Sequence, residues 1–329
     1  VSNPLPGLPV IESPLFPALA GQLGLSEEEA RIGRDLFEQG YAAFDFPDAD
    51  LDQRIARIKH DLAPLYGIDF ADPESDKTCG ERRVQDAWKT QADVRAIAAN
   101  QAVIDLLSKL YGRQAFPFQT LNFPVGTEQD AHTDIVHFSS LPEKFMCGVW
   151  LAMEDVHADA GPLFYYPGSH RWPVMNNAMV GRSGYQTKLA SAQLPFTEAW
   201  NAICAAQNAQ PATFLARKGQ ALIWLANLLH GGSAQHDPRL TRWSQVTHYY
   251  FEDCIYYTPA FSDEALGRLN MRKVVSVTDG AIQPNLYHGR PVKRGKGLGL
   301  FRAAESAGNS NIFSAKAHKA LQRALRQDG

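Results

Sequence analysis

The 329-residue sequence predicts a mainly β fold, a sandwich or barrel with helices packed outside it. Two observations carry this. Apolar residues recur at helical spacing through the first third of the chain. From about residue 113 the pattern switches to alternation, in short runs rich in β-branched and aromatic residues with Pro and Gly turns between them. A third observation bounds the class. With 45% hydrophobic and 20% charged residues and no internal repeat, the chain can build a core that needs no disulfide or structural metal.

The elements follow in order. "SEEE" at 26–29 is a capping box with Ser26 as N-cap and Glu29 reaching back, and Ala30, Ile32, Leu36 and Phe37 mark the apolar face of the helix it starts. A second helix is expected in "DADLDQRIARIKHDLAPLY". A third is expected in "QADVRAIAANQAVIDLLSKLYGR", where Val94, Ile97, Val103, Leu106, Leu107 and Leu110 share one side and Gly112 stands just past the end. "FPFQTLNFPV" reads as a strand pair or one bent strand, and "DAHTDIVHF" alternates as a strand does. "KFMCGVWLAME" is a buried strand with a small residue at Gly148. "GPLFYYPGSH" is a short strand running into a Pro167-Gly168 turn. "ATFLARKGQALIWLANLL" and "TRWSQVTHYYFED" supply further strands. Ahead of them, residues 171–210 form an insertion with one helix in "TEAWNAICAAQNA". "YHGRPVKRGKGLG", residues 287–299, is the loosest stretch, and "FSAKAHKALQRALRQ" reads as a basic amphipathic helix. One domain is expected over residues 1–329: a helical part to about 112, a β core from about 113 to 257, and an extension from about 258.

Composition narrows the partners. A net charge of −3 argues against a nucleic-acid or membrane-surface protein, and no apolar run is long enough for a membrane span. The N-terminal stretch lacks the basic-then-apolar pattern of a signal peptide. The four cysteines, Cys79, Cys147, Cys204 and Cys254, are far apart with no Cys-x-x-Cys pair. Free thiols in a reducing cytoplasm are expected, not a zinc-cysteine site. A small-molecule substrate is the expected partner, and oligomeric state is not legible.

The chemistry-bearing signal is His-x-Asp, which occurs twice: His132/Asp134 in "DAHTDIVHF" and His157/Asp159 in "DVHADAG". By itself the motif does not choose between them. On a strand, residues two apart face the same way, so His132 and Asp134 would present two ligands together. Two histidines and one carboxylate on one face suit iron(II) and leave positions open for reactants. A second histidine is available at His230 in "WLANLLHGGSAQ", with room beside it from Gly231 and Gly232. An oxygenase of this kind that uses 2-oxoglutarate also needs a partner for the far carboxylate, and a guanidinium fork matches it best. "TRWSQVTHYYF" offers Arg242 and Ser244, with Arg239 as the rival.

The stretch "GVWLAMEDVHADAGPLFYYPGSHRW" resembles the phytanoyl-CoA dioxygenase family. The family's ordered set is present: His132/Asp134, Trp150 to Glu154, Gly161 to His170, His230-Gly231, and Arg242. The resemblance spans about residues 113–251. "GYAAFDFPD" is similar to the start of the family's first strand, and nothing after about 257 matches. This resemblance implies a double-stranded β-helix core (jelly-roll, cupin-like). It implies Fe(II) at His132, Asp134 and His230, and 2-oxoglutarate and O2 as co-substrates. Arg242 would hold the distal carboxylate, with Ser244 helping and Trp150 close by. Gln119 and Asn122 occupy the strand where members often place a polar co-substrate contact. His137 and Phe138 would line the substrate side. His157/Asp159 falls in a variable polar turn, His248 reads as a satisfied core histidine, and turn structure explains His170 as well as chemistry does.

The implied activity is hydroxylation of an unactivated C–H in a small molecule, with release of succinate and CO2. Asp134 favours this outcome, because related halogenases have a small residue there. Two other readings use the same residues. A zinc-type hydrolase would leave Arg242 and Ser244 without a role. A non-catalytic jelly-roll binding protein would not need the intact ligand set. The substrate itself is not legible.

Overall fold

The computed structural model describes residues 3–78 and 83–292. After a single turn of helix α1 (Phe16–Leu19), the capping box starts α2 (Glu27–Gln39). The Glu29 amide donates to Ser26 Oγ (3.2 Å) and the Ser26 amide donates to Glu29 Oε2 (2.7 Å), which satisfies N–H groups that the helix start leaves open. Gly40, at φ 85°, ends α2 and turns the chain into β1 (Tyr41–Asp45). Helix α3 (Leu51–Leu62) buries Leu51, Ile55, Ile58 and Leu62 along one side.

The single helix expected at 91–113 is two helices, α4 (Ala92–Ala98) and α5 (Gln101–Tyr111). Asn100 makes the break: its side chain accepts from the Val103 amide at 3.2 Å and caps a new helix. Asparagine is a poor helix interior residue and a strong N-cap, and the apolar period runs across the break because both helices bury the same side. Gly112, at φ 73°, ends α5 where expected.

The remaining strands of the core are β2 (Val84–Gln85), β3 (Ala115–Phe123), β4 (Ser139–Leu141), β5 (Met146–Ala152), β6 (Leu163–Tyr165), β7 (Ala212–Phe214), β8 (Gln220–Leu225), β9 (His230–Gly232), β10 (Ser244–Phe251) and β11 (Ile255–Tyr257). They form a six-stranded sheet of order β1-β8-β5-β10-β3-β2, a three-stranded sheet of order β7-β6-β9, and the pair β11-β4. Every pairing among them is antiparallel. The fold is mainly β with flanking helices, of the jelly-roll type, and no barrel closes among the described residues. Helix α6 (Leu194–Gln207) lies in the insertion and begins earlier than the expected 197, because Pro195 fits the first turn of a helix.

The large sheet has two apolar faces. On the outer one, Tyr249 donates to the Ala98 carbonyl (2.8 Å), Gln245 to the Val94 carbonyl (3.1 Å), and Phe251 stacks on Tyr111 at 3.8 Å. These contacts seat α4 and α5. On the inner face, Phe123, Trp150, Leu222, Trp224 and Val246 pack toward Leu163 and Tyr165 of the small sheet. A cavity of about 450 Å³ lies between the two sheets. "FPFQTLNFPV" is one strand with a bulge. Gln119 pairs with His248 and Pro117 with Tyr249, so Phe118 is the extra residue.

"DAHTDIVHF" is not a regular strand. His132 forms an isolated antiparallel bridge with His230, and Asp134–Val136 is a 3-10 turn. The backbone is satisfied by the turn and not by a ladder: the Ile135 amide donates to Ala226 and the Phe138 amide to Asp134. Residues 131–136 are all buried, so the alternation of residue types in the sequence does not mark one buried face. Beyond β11 come two small hairpins, β12 (Val274–Val275) with β13 (Ile282–Gln283) and β14 (Leu286–Tyr287) with β15 (Arg290–Pro291). The loose stretch at 287–299 thus opens in a hairpin. Its remainder, and the basic helix expected at 313–327, lie outside the described residues. No helix among the described residues is long and apolar enough to cross a membrane.

Candidate metal centre

The bridge clamps two histidines side by side. His132 N donates to His230 O (2.8 Å) and His230 N to His132 O (2.9 Å), which brings the ring centroids to 4.5 Å. Asp134 follows at the first position of the 3-10 turn. Donor atoms of His132, Asp134 and His230 all lie within 4.8 Å of one another, and all three residues are buried. Small side-chain rotations close such a set on one ion with bonds of about 2.0–2.2 Å.

The neighbours set which atoms face inward. His132 Nδ1 donates to the Asp130 carbonyl (2.9 Å) and His230 Nδ1 to the Leu228 carbonyl (3.0 Å). Both Nε2 atoms keep their lone pairs for a metal, the usual arrangement of ligating histidines. The Gln129 amide donates to His132 Nε2 at 3.3 Å, consistent with a lone pair on that side. Trp224 Nε1 donates to Asp134 Oδ2 at 2.7 Å, and His248 Nε2 lies 3.5 Å from the same oxygen. Oδ1 is left to face His132 Nε2, 4.0 Å away.

Burial, reinforced by the adjacent His230, holds the His132 pKa down at about 3. Burial alone would raise Asp134. The charge and hydrogen bond of His248 outweigh it and hold the carboxyl well below its usual range. A neutral His132 and an ionised Asp134 are the protonation states that metal ligation requires.

One end of the cavity carries a buried guanidinium. Arg242 is 3% exposed and lies just before β10, its amide donating to the Pro124 carbonyl (2.8 Å). Its guanidinium sits 5.6 Å from the Trp150 ring centre. Trp150 Nε1 is buried with no hydrogen-bond partner among the described residues. A guanidinium beside an unmatched N–H donor fits a carboxylate.

Of the residues expected from the sequence, His132, Asp134, His230, Arg242, Trp150, Gln119, His137 and Phe138 all line the cavity. Ser244 is fully buried at the start of β10 and does not reach the cavity wall. Asn122 does not reach it either. On β3, Gln119, Leu121 and Phe123 line the cavity, while Asn122 points the other way and donates to Gln245 at 3.2 Å. Gln119 reaches the centre indirectly, its Oε1 3.0 Å from His248 Nδ1. His248 is buried as expected but lines the cavity beside Asp134. His157 and Asp159 are exposed in a turn, 3.6 Å apart, and Arg239 is exposed and paired with Asp237 and Glu74.

Sequence reasoning missed Trp224, which holds Asp134, and noted Gly148 only as a small residue in a buried strand, not as the one that makes room for the indole. A Cβ on Gly148 would stand 2.3 Å from the Trp224 ring. A glycine inside an otherwise bulky buried strand was the available signal. It also missed Arg83, Asn270 and Arg272, which line the cavity from segments without a template.

The family model described as phytanoyl-CoA dioxygenase (PhyH) matches residues 44–242. Among solved structures, the chain is similar to the non-heme alpha ketoglutarate dependent carbocyclase SnoK from nogalamycin biosynthesis, at 17% identity and TM-score 0.53, covering 83% of this chain and 95% of that one. It is similar to the epimerase SnoN in complex with Fe3+, alpha ketoglutarate and nogalamycin RO, at 20% identity and TM-score 0.51, covering 81% and 96%. EctD from S. alaskensis with 2-oxoglutarate and 5-hydroxyectoine follows at 18% identity and TM-score 0.50, covering 73% and 80%. At these identities the likeness is one of fold. No curated protein matches the chain in sequence.

Proposed function

The chain belongs to the phytanoyl-CoA dioxygenase family, and on that premise we propose that it is an iron(II)- and 2-oxoglutarate-dependent oxygenase acting on a small molecule. The observation that carries this reading is the buried His132, Asp134 and His230 set with Arg242 and the Trp150 N–H in the same cavity. A hydrolytic zinc site would leave the second half of that arrangement unexplained. The SnoN and EctD structures were solved with 2-oxoglutarate, which supports the same cofactors here.

His132 Nε2, His230 Nε2 and Asp134 Oδ1 would hold the iron. Bound together, iron(II) and 2-oxoglutarate supply an oxidant from O2, with release of succinate and CO2. Arg242 would fix the far carboxylate of 2-oxoglutarate through a charge-assisted fork, assisted by Trp150 Nε1. Trp224 and His248 hold Asp134 in one orientation at the cavity wall. Ser244 and Asn122 have no direct part in this scheme; Gln119 acts by holding His248. We take the chain as one catalytic domain.

Hydroxylation of an unactivated C–H is the outcome favoured by Asp134, because its carboxylate occupies the position that a halide would need. SnoK and SnoN are named as a carbocyclase and an epimerase, so the fold also serves other outcomes. The test is turnover of 2-oxoglutarate with iron(II) and O2 over a panel of small molecules, read as succinate and as product mass. Gain of one oxygen atom supports hydroxylation, and loss of two hydrogens or an unchanged mass replaces it with ring closure, desaturation or epimerisation. Absence of succinate under every condition sinks the oxygenase reading.

A further inference from the structure

The end of the cavity away from Arg242 carries a second guanidinium. Arg272 follows β11 and lines the cavity with Arg83, His137, Phe138, Gln193 and Asn270. It is half-buried, and its partners are neutral. Nη1 donates to Thr258 Oγ1 (3.1 Å) and to the His137 carbonyl (3.4 Å), and the guanidinium lies 4.8 Å from the Phe138 ring centre. Its Nε is buried without a hydrogen-bond partner among the described residues. Asp134 is the one carboxylate among the described residues that line this cavity.

Arg272 and Arg242 lie on opposite sides of Asp134 along β10. Arg242 precedes the strand, His248 lies 3.5 Å from Asp134, and Tyr250 comes after it. Phe118 stacks on Tyr250 (4.0 Å) and meets Phe138 edge-on (5.5 Å), and Arg272 rests on Phe138. The β3 bulge puts both Phe118 and Gln119 against His248, so this wall is built by the same strands that build the centre.

Charge then decides what this end would bind, given the function proposed above. A divalent ion with one carboxylate ligand keeps one positive charge. A 2-oxoglutarate dianion against Arg242 keeps one negative charge, and the two cancel. The charge of Arg272 remains, partly desolvated and answered only by neutral groups, which is a recognition element for an anion. We propose that Arg272, with Arg83 on the same wall, binds an anionic oxygen group of the substrate, a carboxylate or a phosphate ester. The apolar body of the substrate lies along Phe138 and Phe261 toward the metal. Gln193, from the insertion, and Asn270 add neutral hydrogen-bonding groups around that anion.

The experiment uses the full chain, anaerobic, loaded with manganese(II) and saturated with 2-oxoglutarate so that Arg242 is occupied. Calorimetry first measures 2-oxoglutarate binding; if it needs neither metal nor Arg242, the function proposed above fails and this subsite fails with it. Matched probes are then titrated into the loaded protein: hexanoate against hexanamide, and hexyl phosphate against hexanol. At least one acid is expected to bind about tenfold more tightly than its neutral partner. Whichever acid is preferred identifies the group as carboxylate or phosphate. Arg272→Gln should abolish that preference and Arg272→Lys should keep part of it, with 2-oxoglutarate affinity and melting temperature unchanged in both. Equal binding of acid and neutral partner, no acid binding at millimolar concentration, or a preference that survives Arg272→Gln overturns the subsite while leaving the oxygenase reading intact.

Discussion

Trp224 determines which oxygen Asp134 presents. Its indole N–H holds Oδ2 at 2.7 Å, so Oδ1 is the atom left for a metal. Trp224→Phe keeps the ring bulk against Gly148 and removes only the donor. Manganese(II) affinity should fall about tenfold, the usual cost of losing a group that orients a ligand, with little change in melting temperature. Calorimetry decides, and an unchanged affinity refutes the role. His132→Ala should abolish metal binding and succinate formation with the fold intact, while His157→Ala leaves both untouched; the reverse result would move the centre to the exposed turn. Arg242→Gln should weaken 2-oxoglutarate binding by about 1.5–3 kcal/mol, the range for hydrogen bonds to charged groups. The convergence of His132, Asp134 and His230 with Arg242 in one cavity was legible in the sequence because each carries its chemistry in its residue type and stands at a recognisable place in the order of motifs. Trp224 and Arg272 were not, because an indole or a guanidinium acquires its role only from what strand pairing sets opposite it.

Strand β5 shows the same limit one level up. Gly148 pairs with Trp224 across β5 and β8, and the indole lying over it leaves no space there for a methyl group. Gly148→Ala should cost about 1–3 kcal/mol in overpacking and push the indole off Asp134, so stability and metal affinity fall together. Urea melts paired with metal titration separate this from Trp224→Phe, which should move affinity alone. A variant as stable as the parent would show that the ring has room to shift. Helix ends were readable where local chemistry fixes them, as at Ser26, Glu29 and Gly112. The break at Asn100 was hidden because apolar spacing records which side is buried and not whether the axis continues. "DAHTDIVHF" failed as a strand because alternation of residue types does not record burial there: residues 131–136 are buried without a break, on a bridge followed by a 3-10 turn. His132 and Asp134 still converge, because His132 is extended and the turn begins only at Asp134.

Across the whole molecule, the sheets and the helices meet at another buried histidine. His170 is 4% exposed, and its Nε2 donates to the Phe37 carbonyl in the last turn of α2, at 3.2 Å. The order of helices first and strands later made the layered architecture legible, but not this contact, which joins residues 133 positions apart. Burial holds the His170 pKa down at about 4, against an ordinary value of 6.5. Below pH 6.5 the unfolded chain therefore binds a proton that the folded one refuses, and stability falls as pH drops from about 6.5 toward 4. His132 is depressed in the same direction and adds to this loss in the metal-free protein, while Asp134, held below its ordinary 3.8, adds to the loss only at lower pH still. Glu12 acts oppositely: burial, only partly offset by Lys144, raises its pKa, so it favours the folded state as pH falls. A single substitution isolates the His170 contribution. His170→Gln keeps a donor for Phe37 and cannot titrate, so between pH 6.5 and 4 its urea-melt stability should fall less steeply, by up to about 1.4 kcal/mol per pH unit. Parallel slopes for parent and variant would mean that the imidazole protonates as freely in the folded protein as in the unfolded chain, and that the contact under α2 opens in acid without unfolding the rest.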